Sequence, residues 1–239
     1  MKKEDKIKLK IQRTEEKYKK VSFESNIQNL SKEELAKKTR ASIIPYIVNK
    51  SENGFFSLSS YSFALGIDST FGELTDLGGY KIQKDENNLF MTALRELKEE
   101  SNDLLDFNKL ISSLEEKTRL IKGSFCVYNE KNIILFIDFS SLKEKVGFKK
   151  NQLNYNFQKS KKRFKYNENS HVFWFHSNDL KKIIRTRTPF TRKKKPFHLS
   201  KIKCESYYHK LTHMPYFYEK VRILLFPHLD QIEKHIFKT

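Results

Sequence analysis

Residues 76 to 103 of this 239-residue chain read DLGGYKIQKDENNLFMTALRELKEESND. The stretch opens on paired glycines, crosses a polar loop and enters a run in which apolar residues return at helical spacing. That spacing predicts an amphipathic helix, because residues three and four apart lie on one face. The apolar positions are Leu89, Ala93, Leu94, Leu97 and Leu104.

Three glutamates fall on one face of this predicted helix. Glu96, Glu99 and Glu100 stand at i, i+3 and i+4, where like charges repel and weaken an isolated helix. A divalent cation would remove that repulsion, and carboxylate oxygens are ligands that suit Mg²⁺ or Mn²⁺. The alternative is a solvated charged face, which binds nothing.

The wider constellation resembles the Nudix box, the loop–helix–loop motif of the Nudix hydrolases. The residues that carry the resemblance are Gly79, Glu86 and the run Arg95-Glu96-Leu97-Lys98-Glu99-Glu100. Both gaps between these parts are one residue longer than in the family's usual pattern, and Asn102 replaces the closing glycine. Asparagine is the residue after glycine that best tolerates the left-handed conformation at a helix end.

The resemblance implies an α/β (α+β) fold, a Nudix-like α/β/α sandwich with a mixed sheet. Residues 1–40 are expected to form a charged, weakly packed extension, residues 41–184 the Nudix domain, and residues 185–239 a basic segment with C-terminal helices. Strand-like runs at 41–48, interrupted by Pro45, and at 55–66 are expected to lead into a Gly-Gly loop. After the box, RLIKGSFCVY, NIILFIDF and HVFWF are expected to be strands, followed by a helix over NDLKKII.

The resemblance also implies metal-dependent hydrolysis of a pyrophosphate bond, with Mg²⁺ or Mn²⁺ as cofactor. Glu96 and Glu100 would be the chief ligands, with Glu99 contributing directly or through water. Glu86 would be a further ligand, or Asp85 in its place. Arg95 would orient the catalytic glutamates by ion pairing. Gly78 and Gly79 would let the backbone approach the substrate's phosphates without a Cβ in the way.

A carboxylate outside the box is a candidate general base. Glu168 lies in a polar turn before Trp174, and mRNA-decapping members of the family place a loop glutamate similarly before an aromatic strand residue. The alternative is an ordinary loop glutamate. Trp174 itself is expected in the core rather than as a stacking platform.

The charge of the chain predicts a polyanionic partner. There are 47 Lys and Arg against 29 Asp and Glu, a formal net charge of +18. The run from 185 to 203 interleaves Arg192, Lys193, Lys194 and Lys195 with two phenylalanines, which is typical of single-stranded RNA binding. The alternatives are a solvated linker, a nuclear-targeting run and a lysine surplus that reflects the composition of an AT-rich genome.

Cys126 and Cys204 follow no disulfide or metal spacing, and no signal peptide or membrane span is recognisable. These features favour a cytoplasmic protein with no obligate protein partner. The leading hypothesis is a Nudix hydrolase that decaps mRNA or cleaves a related nucleotide polyphosphate, and its features would suit a large DNA virus. The alternatives are hydrolysis of a small substrate (a nucleotide sugar, a dinucleoside polyphosphate or an inositol pyrophosphate) and an inactive RNA-binding protein of the same fold.

Overall fold

The computed structural model describes residues 13, 16–49, 60–85, 88–148, 152–161, 168–185 and 216–238, which form a mixed eight-stranded sheet with helices. The strands are β1 (Ser22–Glu24), β2 (Arg40–Asn49), β3 (Ser60–Asp68), β4 (Leu74–Thr75), β5 (Leu77–Tyr80), β6 (Phe125–Tyr128), β7 (Asn132–Asp138) and β8 (Asn169–His176). The helices are α1 (Lys32–Lys37), α2 (Leu89–Glu100), α3 (Phe107–Leu110), α4 (Leu114–Lys122), α5 (Gln152–Lys161), α6 (Ser177–Arg185), α7 (Glu219–Leu225) and α8 (Leu229–Ile236). The mixed α and β class predicted from the sequence is confirmed.

Strand β2 is the centre of the sheet because it changes partners along its length. It runs parallel to β7 on one side. On the other side residues 40–43 pair with β5 and residues 46–49 pair with β3, both antiparallel. The change of partner falls at Ile44 and Pro45, so the missing amide of proline removes no ladder bond there. The strand therefore continues through Pro45, where the sequence predicted a break.

The side chains of the strands alternate between two apolar cores, one on each face of the sheet. Ile43 and Ile47 of β2 join a core that includes Ala93 of α2 and residues of α3, α4 and α5. Ile44 and Tyr46 join a second core with residues of α6, α7 and α8. The sheet is thus covered by helices on both faces.

The N-terminal segment is part of this fold from Val21 onward. Strand β1 pairs antiparallel with β6, and Val21 and Leu30 are buried. Ser31 and Glu34 form the capping box of α1. The expected weakly packed extension is therefore wrong for residues 21–40, because edge pairing and core contacts fix them.

Three further predictions need correction. The glycine pair lies inside strand β5 rather than in a loop, helix α4 covers the RLIK that was expected to be strand, and Leu104 lies beyond the end of α2. The strands at NIILFIDF and HVFWF and the helix after them are confirmed, and Trp174 is buried. Within the described parts of the chain, every helix is too short or too polar to traverse a bilayer.

Candidate active site

Helix α2 carries the candidate site, and its ends are fixed by local chemistry. At its start the Asn88 side chain accepts hydrogen bonds from the amides of Phe90 and Met91. At its end Asn102 adopts a left-handed backbone with φ of 52°, as its place at the closing position of the motif predicted. The apolar stripe of the helix packs against β2 and β5, and Glu96 lies against Gly79 of the Gly-Gly strand.

Arg95 ties the acidic residues of this region together. Its Nη1 donates to Glu96 Oε1 at 2.7 Å and to Glu99 Oε2 at 2.9 Å. Its Nε donates to Asp85 Oδ1 at 2.9 Å, and its Nη2 donates to the carbonyl of Tyr80 at 3.0 Å. The repulsion expected among the glutamates is thus offset by a guanidinium within the same helix.

Asp85 is a structural partner of Arg95 rather than a free carboxylate. It also accepts hydrogen bonds from the amide of Ile82 at 3.0 Å and from the Thr92 hydroxyl at 2.9 Å. The hydrogen bond from Arg95 is the main cause that lowers the pKa of Asp85 to about 2, against the opposing effect of burial. Both oxygens of Asp85 are thus engaged within the protein, and its role as a substitute for Glu86 stays a prediction.

Glu100 points away from this network into a crowded acidic pocket. Its Oε2 accepts a hydrogen bond from Nδ2 of the buried Asn169 at 3.0 Å. Burial raises the pKa of Glu100 well above the ordinary range, and the negative charges of Asp76, Glu168 and Glu96 raise it further. Ionising Glu100 is therefore costly in this structure, and its carboxylate accepts a hydrogen bond from the Asn169 amide and lies in the field of the Arg40 guanidinium, which is itself paired with Asp76.

Asn169 has room beside the sheet because of a glycine. A Cβ on Gly66 would overlap the amide group of Asn169. Gly66 in β3 thus leaves space for the side chain of Asn169, the first residue of β8. Asn169 can then contact Glu100 of helix α2, which lies 69 residues earlier in the chain. The sequence analysis did not single out Asn169, and a glycine within an apolar strand was the signal available for it.

Glu168 lies beside this pocket because hydrogen bonds to its backbone carbonyl fix its position. Its carbonyl accepts hydrogen bonds from the amide of Ser69, at 2.7 Å, and from the Ser69 hydroxyl. Ser69 begins a loop organised by Asp68, whose carboxylate accepts from three loop amides. The Glu168 side chain is exposed, and its charge raises the pKa of both Glu96 and Glu100. The structure thus brings the candidate base to the candidate metal helix.

The two glycines of β5 make room for their neighbours. A Cβ on Gly79 would overlap the carboxylate of Glu96, and a Cβ on Gly78 would overlap Ser42 of the adjacent strand. The close approach between Gly79 and Glu96 places the backbone of β5 directly against the acidic face of α2. Glu86 and the basic residues Arg192, Lys193, Lys194 and Lys195 lie outside the described residues, so their predicted roles stay predictions.

The donor chemistry of the pocket fits a divalent cation. Glu100 and Glu96 supply carboxylate oxygens, the pKa of each is raised by burial, and both lie in the field of Glu168. In the part of the chain that the structure describes, no three acidic, histidine or cysteine side chains are arranged as a metal-binding group. Glu96 and Glu99 are instead ion-paired with Arg95.

Comparison of the sequence with protein-family models and with curated proteins gives no match.

Proposed function

We propose that this chain is a divalent-metal-dependent hydrolase of the Nudix type that cleaves a pyrophosphate bond in capped RNA. The observation that carries the proposal is Glu100, a crowded carboxylate facing Asp76, Glu96 and Glu168 with one amide donor as its partner. Carboxylates this close are costly to ionise together, and a bound metal ion would lower that cost. Their position on the helix that follows a Gly-Gly strand is the one the motif implies.

Glu100 and Glu96 would hold the ion, and Glu99 would assist once released from Arg95. A bound Mg²⁺ or Mn²⁺ supplies neutralisation of the phosphate oxygens and a lower pKa for an attacking water. Glu168 accepts the proton of that water, because its carboxylate is exposed and its backbone is anchored by Ser69. The water oxygen bonds to phosphorus, and the bridging P–O bond breaks with its electron pair passing to the departing phosphate.

Arg95 acts as the positioning residue of the site. It contacts Glu96, Glu99 and Asp85 together, so it would set the orientation of Glu96 and Glu99 before the ion binds. Its pKa is raised above the ordinary value, mainly by the hydrogen bond with Asp85, so it stays charged throughout the working range. Glu96 would hold the ion with the carboxylate that now accepts from Arg95.

The RNA part of the proposal is supported by the net charge of +18, which suits a substrate with many phosphates. Incubation with Mg²⁺ or Mn²⁺ and a panel of cap-labelled RNA, cap analogue, dinucleotides and inositol pyrophosphates identifies the substrate. Preferred cleavage of cap-labelled RNA supports decapping. Preferred cleavage of a small molecule from the panel would assign that molecule, instead of RNA, as the substrate.

The metal assignment is tested by Glu100→Gln, which keeps the shape of the side chain and its contact with Asn169. A cation that binds the folded state raises stability by roughly 2.7 kcal/mol at 100 times its Kd. We expect Mn²⁺ to raise the melting temperature of the wild-type protein and of the control Glu115→Gln, an exposed position on α4. Glu100→Gln should lose that rise and its turnover, and should be at least as stable as wild type without metal. Wild-type hydrolysis by Glu100→Gln would refute the assignment.

A further inference from the structure

An exposed aromatic ring stands at the end of strand β5, next to the candidate site. Tyr80 is 54% exposed, an unusual state for a tyrosine that ends a strand leading out of the core. Its carbonyl accepts from Arg95, and its neighbour Gly79 touches Glu96. Consecutive Cα atoms are about 3.8 Å apart. The Tyr80 ring therefore belongs to the residue next to Gly79, which contacts the acidic face of helix α2.

The ring is held in place by a cation from the opposite face of the sheet. Lys220 of helix α7 donates to the Tyr80 hydroxyl at 2.9 Å, and its ammonium lies 5.5 Å from the centre of the Tyr80 ring and 6.0 Å from that of Tyr218. Both distances are within the range of a cation–π contact. The hydrogen bond that Lys220 donates to Tyr80 is the main cause that raises the pKa of Lys220, so the ammonium is charged at neutral pH.

The backbone that carries Lys220 is fixed to the sheet. The amide of Leu74 in β4 donates to the carbonyl of Tyr216 at 2.7 Å, and the amide of Tyr218 donates to the carbonyl of Leu74 at 2.8 Å. This pairing places the start of helix α7 beside the Gly-Gly strand. The rings and the ammonium are thus presented by rigid elements, which lowers the entropy lost when a ligand binds.

The charge of Lys220 is available to a ligand. Among the described residues no carboxylate lies within ion-pair distance of its ammonium. A solvent-exposed ring beside a cation that has no carboxylate partner among the described residues suits a nucleotide, because a base can stack on the ring while a phosphate meets the ammonium. A tyrosine that only fastened α7 to the sheet would gain nothing from an exposed ring face.

We propose that Tyr80 and Lys220 form a nucleotide-binding platform, in which Tyr80 stacks a base and Lys220 binds a phosphate of the same ligand. The proposal rests on the proposed function, since it supplies a substrate contact outside the metal helix. The ligand unit is a nucleoside phosphate, which can come from an RNA chain or from a free nucleotide.

The test is fluorescence anisotropy with a labelled single-stranded RNA, repeated with a labelled mononucleotide, on the full chain without divalent metal. Stacking on one aromatic ring is worth about 1–3 kcal/mol by alanine substitution. We therefore expect Tyr80→Ala to weaken binding about tenfold or more, while Tyr80→Phe, which keeps the ring but loses the hydrogen bond from Lys220, should weaken it less. Tyr155→Ala, an exposed tyrosine on α5, is the matched control and should bind as wild type.

Lys220→Gln gives a second measurement, which stays informative even if Tyr80→Ala does not fold. Loss of one phosphate contact should reduce the log–log salt slope by about 0.7 for a single strand. Lys220→Arg should restore the slope, and the control Lys122→Gln, an exposed lysine on α4, should leave it unchanged.

The outcomes separate the two ligand sources. Weaker binding of RNA alone assigns the platform to a nucleotide of the RNA chain, and weaker binding of both ligands assigns it to a single nucleotide. Wild-type binding of both ligands by Tyr80→Ala, together with an unchanged salt slope in Lys220→Gln, overturns the platform. A wild-type chain that hydrolyses nothing refutes the proposed function separately, because these binding measurements need no turnover.

Discussion

The guanidinium of Arg40 and the carboxylate of Asp76 form a bidentate ion pair inside the protein, with N–O distances of 2.8 and 2.7 Å. Arg40 also donates to the carbonyl of Gly78 at 2.9 Å. Burial would raise the pKa of Asp76, but the charge and hydrogen bonds of Arg40 outweigh it and hold that pKa below its ordinary value. The pair fastens the start of β2 to the glycine strand, and so fixes the backbone on which the candidate site is built.

Removing the cation of this pair is expected to destabilise the fold strongly. Arg40→Met leaves the Asp76 carboxylate buried without a cation, which costs about 3–5 kcal/mol. Urea unfolding measures the loss. The double variant Arg40→Met/Asp76→Leu should recover a large part of it, because no charge then stays buried. A loss below about 1 kcal/mol in Arg40→Met would show that water or another group solvates Asp76.

The two glycines of β5 are expected to differ in what an added methyl group disturbs. In Gly78→Ala the methyl overlaps the backbone and Cβ of Ser42, which cannot move aside. Such overpacking costs typically about 1–3 kcal/mol, so the melting temperature should fall. In Gly79→Ala the methyl meets the end of the flexible Glu96 side chain. The fold should then persist, while the metal-induced rise in melting temperature and the turnover decline.

If both alanine variants unfold equally easily, the contact between Gly79 and Glu96 is part of the core rather than of the site. If Gly79→Ala binds Mn²⁺ and turns over as wild type, Glu96 is not a ligand.

Glu168→Gln is expected to lower kcat by roughly 10²–10⁴-fold with little change in KM, since a general base acts on the chemical step. Ser69 binds the backbone of Glu168 rather than its carboxylate, so the substitution should leave the loop and the melting temperature unchanged. Steady-state kinetics across substrate concentration separates kcat from KM. A loss of tenfold or less would return Glu168 to the status of a loop residue.

The thiol of Cys126 is expected to resist modification in the folded protein. It is fully buried in strand β6, and burial raises its pKa to about 12. In the variant Cys204→Ser, which leaves one cysteine, an aromatic disulfide reagent at pH 8 should react only as fast as the protein unfolds. Because the unfolded thiol ionises near its ordinary pKa and the folded thiol does not, this group's contribution to stability is lost as pH rises from about 9 toward 12.

Labelling of the folded Cys204→Ser variant at the rate of a free thiol would place Cys126 at the surface and contradict the pairing of β6 inside the sheet.

Much of the local structure follows from the sequence alone. The period of Leu89, Ala93 and Leu97 specifies helix α2, Ser31 and Glu34 specify the cap of α1, and Asn102 ends its helix in the left-handed conformation. These features depend on residues no more than a few positions apart, which is why pattern and capping rules predict them. The acidic face of α2 is encoded in the same way.

Tertiary structure decides which of these groups meet. The Arg40–Asp76 pair joins residues 36 positions apart, and the contact of Glu100 with Asn169 spans 69 positions. Both depend on the register between strands, which no local pattern specifies. The same register places Glu168 beside the glutamates and Lys220 beside Tyr80. The helix and its charges are therefore a property of the sequence, while the pocket they form exists only because the sheet aligns distant residues.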